Sequence, residues 1–507
     1  MFKKHPKGLV SAALANMGER FGFYIMMAIL LLFLNNKFGF TGSEGAIIYS
    51  VFYALIYILA LVGGLIADKT RKYKTTILAG LVLMTVGYFL LAFPTKTPIE
   101  NAPLVYALTF IGLFSIAFGN GLFKGNLQAV VGQLYDDPKY SDKREVGFQI
   151  FYMFINVGAM FAPLMAVGLR NWWVKTNGFD FNADLPSLCN QFVSGTITPE
   201  AQARFTELAA KVGGDVTNLD LFSHNYLNVF MEGYHYSFGI AIIALLVSLT
   251  IFLLNKKQLP NPALKNVVKT DSGTVVEMDA KEVKQRLYAL FAVFAVVIFF
   301  WFSFHQNGQT LTLFANDYTQ MLNINLGFTT LQGAEVFQAF NPIFVVFLTP
   351  IIIGLFGWFK SKGFEISTPK KIAIGMGIAA VAFIVMSLGS IGLPSTQDRI
   401  AMGGIGDAVR VTPWLLIGTY LILTVAELFI SPLGIAFVSQ VAPPKYQGIM
   451  QGGWLSATAL GNQLLFIGVI FYNSIPIWAT WLIFVTACLI SMFTMLFMLK
   501  WLERVSK

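Results

Sequence analysis

Runs of about twenty consecutive apolar residues, the length that crosses a bilayer, recur along this chain and narrow its fold more than any other feature. Stretches 46–67, 236–254, 372–391 and 478–499 each come close to that length. They are apolar on every face rather than along one stripe, which suits lipid or the inside of a membrane bundle. Twelve such segments are expected, over 8–35, 43–67, 74–93, 102–132, 146–169, 234–254, 286–315, 333–358, 371–391, 413–439, 447–472 and 477–500. Only 12% of the 507 residues are charged, against about 25% in a soluble domain. The expected fold class is therefore an all-α integral membrane protein of about twelve transmembrane helices.

The first run follows a basic start and resembles a signal peptide. It is longer than an h-region of about 7–15 residues, lacks a small-x-small cleavage site, and carries Glu19 and Arg20 inside it, so it is read as a retained first helix. Two cysteines, Cys189 and Cys488, are too few for a disulfide framework or a cysteine metal site. The formal charge of +9 would suit nucleic acid if it formed one patch. Instead 25 of the 35 Lys and Arg fall in the termini and loops of one side, and 8 on the other. That asymmetry is a topology signal, with both termini cytoplasmic, and no nucleic-acid partner is expected.

Three blocks follow: residues 1–254 as an N-terminal six-helix bundle, 255–285 as a polar cytoplasmic linker, and 286–507 as a C-terminal six-helix bundle. A two-half layout places a binding site near the midplane, where the halves meet. Residues 170–233 form an extracytoplasmic insertion in the first bundle. Within it Thr198-Pro199-Glu200 has the pattern of a helix start, and Gly213-Gly214 that of a stop.

An ionisable side chain in hydrocarbon is expensive unless paired or hydrated, so each marks a candidate site. Glu19 and Arg20 on helix 1, Lys124 on helix 4, His305 on helix 7 and Glu427 on helix 10 stand out. Asn16, Glu19 and Arg20 share one helical surface by i, i+3 and i+4 spacing. Lys124 needs an anionic partner, and Glu19 is the expected one. Glu427 precedes Ser431-Pro432, and that proline frees a backbone carbonyl one turn earlier, which suits a kinked helix facing a cavity. No metal cluster, nucleophile elbow or phosphate loop accompanies these residues, so neither an enzyme nor a cofactor is expected.

Residues 64–72, Gly-Leu-Ile-Ala-Asp-Lys-Thr-Arg-Lys, resemble the helix 2–3 loop signature of the major facilitator superfamily. More specific is 16–24, Asn-Met-Gly-Glu-Arg-Phe-Gly-Phe-Tyr, which is similar to the Glu-x-x-Glu-Arg-Phe-x-Tyr-Tyr motif of the proton-dependent oligopeptide transporter family. Residues 151–159, Phe-Tyr-Met-Phe-Ile-Asn-Val-Gly-Ala, resemble that family's second signature. Phe300-Trp301, Gln306, Asn341-Pro342, Glu427-Leu428, Ser431-Pro432, Ala442-Pro443 and Gly453-Trp454 continue the resemblance in order.

The resemblance implies a major-facilitator fold and uptake of di- and tripeptides driven by protons across a bacterial inner membrane, by a protein for which a monomer suffices. It implies that Lys124 binds the peptide carboxylate, that Asn341 and Glu427 receive the amino terminus, and that Tyr24, Tyr57, Asn156 and Trp454 line the pocket. Glu19, Arg20 and His305 are the expected proton-coupling group. Three positions depart from the family pattern. Asn16 replaces its first glutamate, Met27 its usual helix 1 arginine, and His305 its helix 7 acid. The arginine and the acid face each other in relatives, so their joint loss leaves no stranded charge. Protonation of His305, whose unperturbed pKa is about 6.5, is one substitute, with Glu19 as the other proton carrier; the alternative for His305 is a neutral histidine hydrogen-bonded in the helix 7 wall. The alternative is the same fold moving another substrate: an anion, an amino acid conjugate or a modified peptide.

Overall fold

The computed structural model describes residues 5–135, 137–140, 144–260, 280–364, 366–443 and 447–506. The first half consists of α1 (Lys7–Phe38), α2 (Glu44–Thr70), α3 (Tyr73–Ala92), α4 (Ala102–Gln133), α5 (Arg144–Thr176), α6 (Leu185–Val193), α7 (Pro199–Lys211) and α8 (Leu219–Asn255). The second comprises α9 (Ala280–Phe304), α10 (Thr310–Tyr318), α11 (Phe340–Ser361), α12 (Thr368–Gly389), α13 (Thr396–Ala401), α14 (Pro413–Val441), α15 (Gln447–Gln463), α16 (Leu465–Ser474), α17 (Ile477–Phe497) and α18 (Leu499–Val505). A hairpin of β1 (Ile324–Asn325) and β2 (Thr330–Leu331), paired antiparallel, is the one sheet among the described residues. Among the described residues, twelve segments are long and apolar enough to span a membrane. Linker residues 261–279 and the Asp68 side chain of the loop signature lie outside the described residues.

Three spans differ from a plain rod. Span seven is α9 and α10 joined by a one-turn 3-10 segment, His305–Gly308, and span eleven is α15 and α16, which part at Leu464. Span eight starts as a 3-10 turn, Ala334–Ala339, and continues as α11. Discontinuous helices expose backbone groups at membrane depth only where protein or a cavity receives them. The sixth span, α8, begins at Leu219 rather than at 234, and α5 runs on to Thr176. Both therefore project beyond the membrane and carry α6 and α7 between them. Thr198 Oγ1 accepts from the Ala201 amide at 3.2 Å and caps α7.

In lipid no hydrophobic effect pulls helices together, so close backbone approach has to. Helices α3 and α4 achieve this with facing glycines. A side chain added at Gly80 would lie 2.6 Å from the Gly119 carbonyl oxygen, and one at Gly87 2.7 Å from that of Gly112. Apolar side chains such as Leu246, Phe347 and Phe493 remain exposed on the outer surface, where lipid would meet them.

Among the described residues, the hydrogen bonds and ion pairs that join the two halves all lie toward the side bearing α6 and α7. Innermost, Gln309 donates to Ala46 O and Ser50 Oγ, both at 2.9 Å. Farther out, Asn171 donates to Thr330 O and Gln332 O at 2.8 Å, and Thr329 donates to Gly168 O at 2.6 Å. Arg170 pairs with Glu335 there, both almost completely buried. Among the described residues, these bonds seal the halves on that side.

Candidate functional site

Helix α1 brings its two charges into the bundle as a unit. Arg20 Nε and Nη2 donate to the two carboxylate oxygens of adjacent Glu19 at 2.5 and 2.6 Å. Asn120 of α4 donates to the same carboxylate at 2.8 Å, and the guanidinium lies 4.5 Å from the Phe23 ring centroid. Each charge is buried but paired and hydrogen-bonded, which is what makes it tolerable in low dielectric.

Lys124, one turn beyond Asn120, does not bond to Glu19, contrary to the sequence expectation. Both Glu19 oxygens are taken by Arg20 and Asn120. The ammonium instead lies 4.8 Å from the Tyr57 ring centroid, and among the described residues no carboxylate is within 4.0 Å of it. A desolvated cation over an aromatic face gains on the order of 2 kcal/mol, short of full compensation for burial.

On the other half, Asn341 of α11 donates to Glu427 Oε2 at 2.9 Å and to Thr424 Oγ1 at 3.0 Å. No cation among the described residues lies within 4.0 Å of Glu427, so Lys124 and Glu427 are an unmatched pair of opposite sign on opposite halves. The helix that carries Glu427 continues through Pro432 as α14. Trp454 of α15 is buried against Gly434 of α14, where any larger side chain would overlap the indole.

Tyr24, Tyr57 and Tyr152 of the first half lie within electrostatic reach of Glu427 of the second, so one shared space separates the halves here. Tyr24, Tyr57, Lys124, Asn156, Asn341 and Glu427 are all half-buried, as groups lining such a space would be. Asn156 donates back to Tyr152 O on its own helix at 3.2 Å.

His305 sits where α9 breaks. Its Nδ1 is hydrogen-bonded to the Asn462 side-chain amide at 2.5 Å. The Trp301 ring stacks on the imidazole at 4.8 Å and 19°, and Tyr53 of α2 approaches to 5.1 Å. His305 is also within electrostatic reach of Lys124. Gln306, the next residue, is fully buried and donates to Phe302 O and Leu465 O, which ties the break in α9 to the one between α15 and α16. Met27, at the position of the family's arginine, is buried among apolar neighbours.

Sequence reasoning did not single out Asn120, Asn462, Tyr53 or Thr424. Asn120 and Asn462 are amides inside apolar helices, the one signal available. Their partners lie 101 and 157 residues away, beyond any spacing rule.

The sequence profile of the POT family matches this chain over residues 74–278 and 261–477. The chain is 28% identical over 477 residues to the peptide transporter YePEPT of Yersinia enterocolitica, covering 91% of this chain and 87% of that protein. It is 26% identical over 465 residues to dipeptide and tripeptide permease A of Escherichia coli, covering 91% and 83%. Among solved structures, it superimposes on a peptide transporter POT bound to sulfate with a TM-score of 0.72 at 22% identity, over 100% of this chain and 96% of that one. A POT family transporter bound to 5-aminolevulinic acid gives a TM-score of 0.72 at 20% identity, over 100% and 98%.

Proposed function

This chain belongs to the POT family, and on that premise we propose that it carries di- and tripeptides with protons across a bacterial inner membrane by alternating access. The observation that carries this reading is the unmatched pair, Lys124 on one half and Glu427 on the other. A zwitterionic peptide brings the two charges that are missing. Its carboxylate would meet Lys124, its amino terminus Glu427 and Asn341, and its body the wall of Tyr24, Tyr57, Asn156 and Trp454. Binding would then draw the halves together through the peptide itself. Peptides and protons are the partners of this reading; lipid surrounds a monomer whose termini face the cytoplasm. Because the seal lies on the side of α6 and α7, the conformation described would face inward.

Proton coupling falls to Glu19, Arg20 and His305 in this reading. Glu19 releases Arg20 when protonated, and His305, held by Asn462, faces Tyr53 across the interface between halves.

The test is uptake of labelled dialanine by purified protein in liposomes, inside alkaline, with and without a protonophore. Accumulation that collapses on adding the protonophore is expected. Accumulation indifferent to it would refute proton coupling, and no uptake by folded protein would refute peptide as the cargo.

A further inference from the structure

On the outer face, α6 and α7 of the first half meet the 390–412 segment of the second through interlocked charges. Arg410, from the second half, donates to both oxygens of Asp184 at 3.1 and 2.9 Å. It is anchored at home by donating to Asn316 O at 2.9 Å and Thr319 O at 3.3 Å, at the outer end of span seven. Arg204, from α7, reaches the opposite way, to Gly403 O at 3.0 Å and Ile405 O at 2.7 Å, while also donating to Asp184 at 3.3 Å. Thr198 adds a bond to Ala401 O at 2.5 Å. Gly403 and Gly404 adopt left-handed backbone, φ 70° and 107°, and a side chain at Gly403 would lie 2.8 Å from the Ala201 backbone. Asp184 and Arg410 are each more than nine-tenths buried although both lie beyond the membrane spans. Beneath this contact is a cavity of about 340 Å³, lined by both halves, Asn35 and Asn190 on one side and Leu313 and Asp317 on the other.

We infer that α6 and α7 form a clasp that fastens the first half to the second on the outer face and must open for the outward-facing state. This inference rests on the alternating-access reading above. Each arginine is held by groups of the opposite half, so neither half can swing away without breaking the set. The broken charges would meet water rather than lipid, because the clasp lies outside the spans, and this makes the contact reversible. An insertion serving only as decoration would have no need to share an ion pair with the other half.

The experiment uses the full chain in right-side-out vesicles, with Leu313→Cys as a reporter beneath the clasp and a membrane-impermeant maleimide as the probe. The native Cys189 and Cys488 are buried and give a low background. Asp184→Asn and Arg410→Gln are each expected to speed labelling by about fivefold or more, the low end of a typical coupling between two states. Unchanged labelling in folded Asp184→Asn and Arg410→Gln protein overturns the clasp. Should both variants fail to fold, Arg204→Ala, which removes the bonds to Gly403 O and Ile405 O from a side chain that is only partly buried, gives the second measurement. Leu313→Cys should label faster in that variant too, and labelling at the parental rate in folded Arg204→Ala protein overturns the clasp as well. Labelling reads the clasp whether or not peptide moves. Faster labelling in a protein that carries no dialanine would thus uphold the clasp and refute the peptide reading alone.

Discussion

Among the described residues, the Lys124 ammonium has the face of Tyr57 and no carboxylate, while the Glu427 carboxylate has an amide and no cation. Truncating one partner of a desolvated charge pair costs about 2–5 kcal/mol, or roughly 30-fold to several thousand-fold in affinity. Lys124→Ala and Glu427→Gln are therefore each expected to lower kcat/KM for dialanine by at least about 30-fold. Glu427→Gln should also narrow the difference between dialanine and N-acetyl-dialanine in competition uptake, since only the free amino terminus uses that carboxylate. An unaltered preference for the free amine would place the amino terminus elsewhere. His305→Ala is expected to make uptake indifferent to the protonophore while peptide exchange between the two faces continues. Proton-driven uptake at the parental level would move the coupling role to Glu19 and Arg20. These charged positions were legible in the sequence because ionisable residues are conspicuous in apolar helices. Their partners were not: the expected Glu19–Lys124 pairing gave way to the adjacent Arg20, whose fork reaches both oxygens of Glu19.

Helices α3 and α4 show what can and cannot be read about an element. Their spans were expected at 74–93 and 102–132 and lie at Tyr73–Ala92 and Ala102–Gln133, because a bilayer sets helix length and the apolar run reveals it. Their contact through Gly80–Gly119 and Gly87–Gly112 was invisible, since a glycine in a helix says nothing of what it faces. Gly80→Leu or Gly119→Leu should lower the thermal midpoint in detergent through overpacking of about 1–3 kcal/mol. Gly64→Leu, where a side chain meets nothing within 4 Å, serves as the control that should not. The break in span seven was likewise unread, although Asn307-Gly308 is a turn-forming pair and the one sequence cue to it. The start of α8 at Leu219 was missed because its first turns, beyond the membrane, are too polar to register as a span.

For the whole molecule, the two-bundle plan was expected from the span count and the polar stretch between the sixth and seventh spans, which are bulk properties. The seal between the bundles was not, because it joins residues such as Arg170 and Glu335, 165 positions apart. Those two are buried together, with Tyr234 donating to the same Glu335 oxygen at 3.0 Å. Removing either charge strands the other, so Glu335→Gln alone is expected to cost about 3–5 kcal/mol in unfolding measurements. Arg170→Met with Glu335→Leu should recover most of that loss, and a double variant as unstable as the single one would show that shape and not charge holds the contact. Nearer the membrane centre the seal has another character. Gln309, one turn beyond His305, meets Ser50 Oγ and Ala46 O through an amide that carries no formal charge. A formal charge displaced through the membrane potential exchanges about 2.3 kcal/mol per 100 mV. A contact built there from an amide and a hydroxyl displaces none when it parts, so the electrical work of a transport cycle is left to the buried ion pairs and to the protons that travel with the cargo.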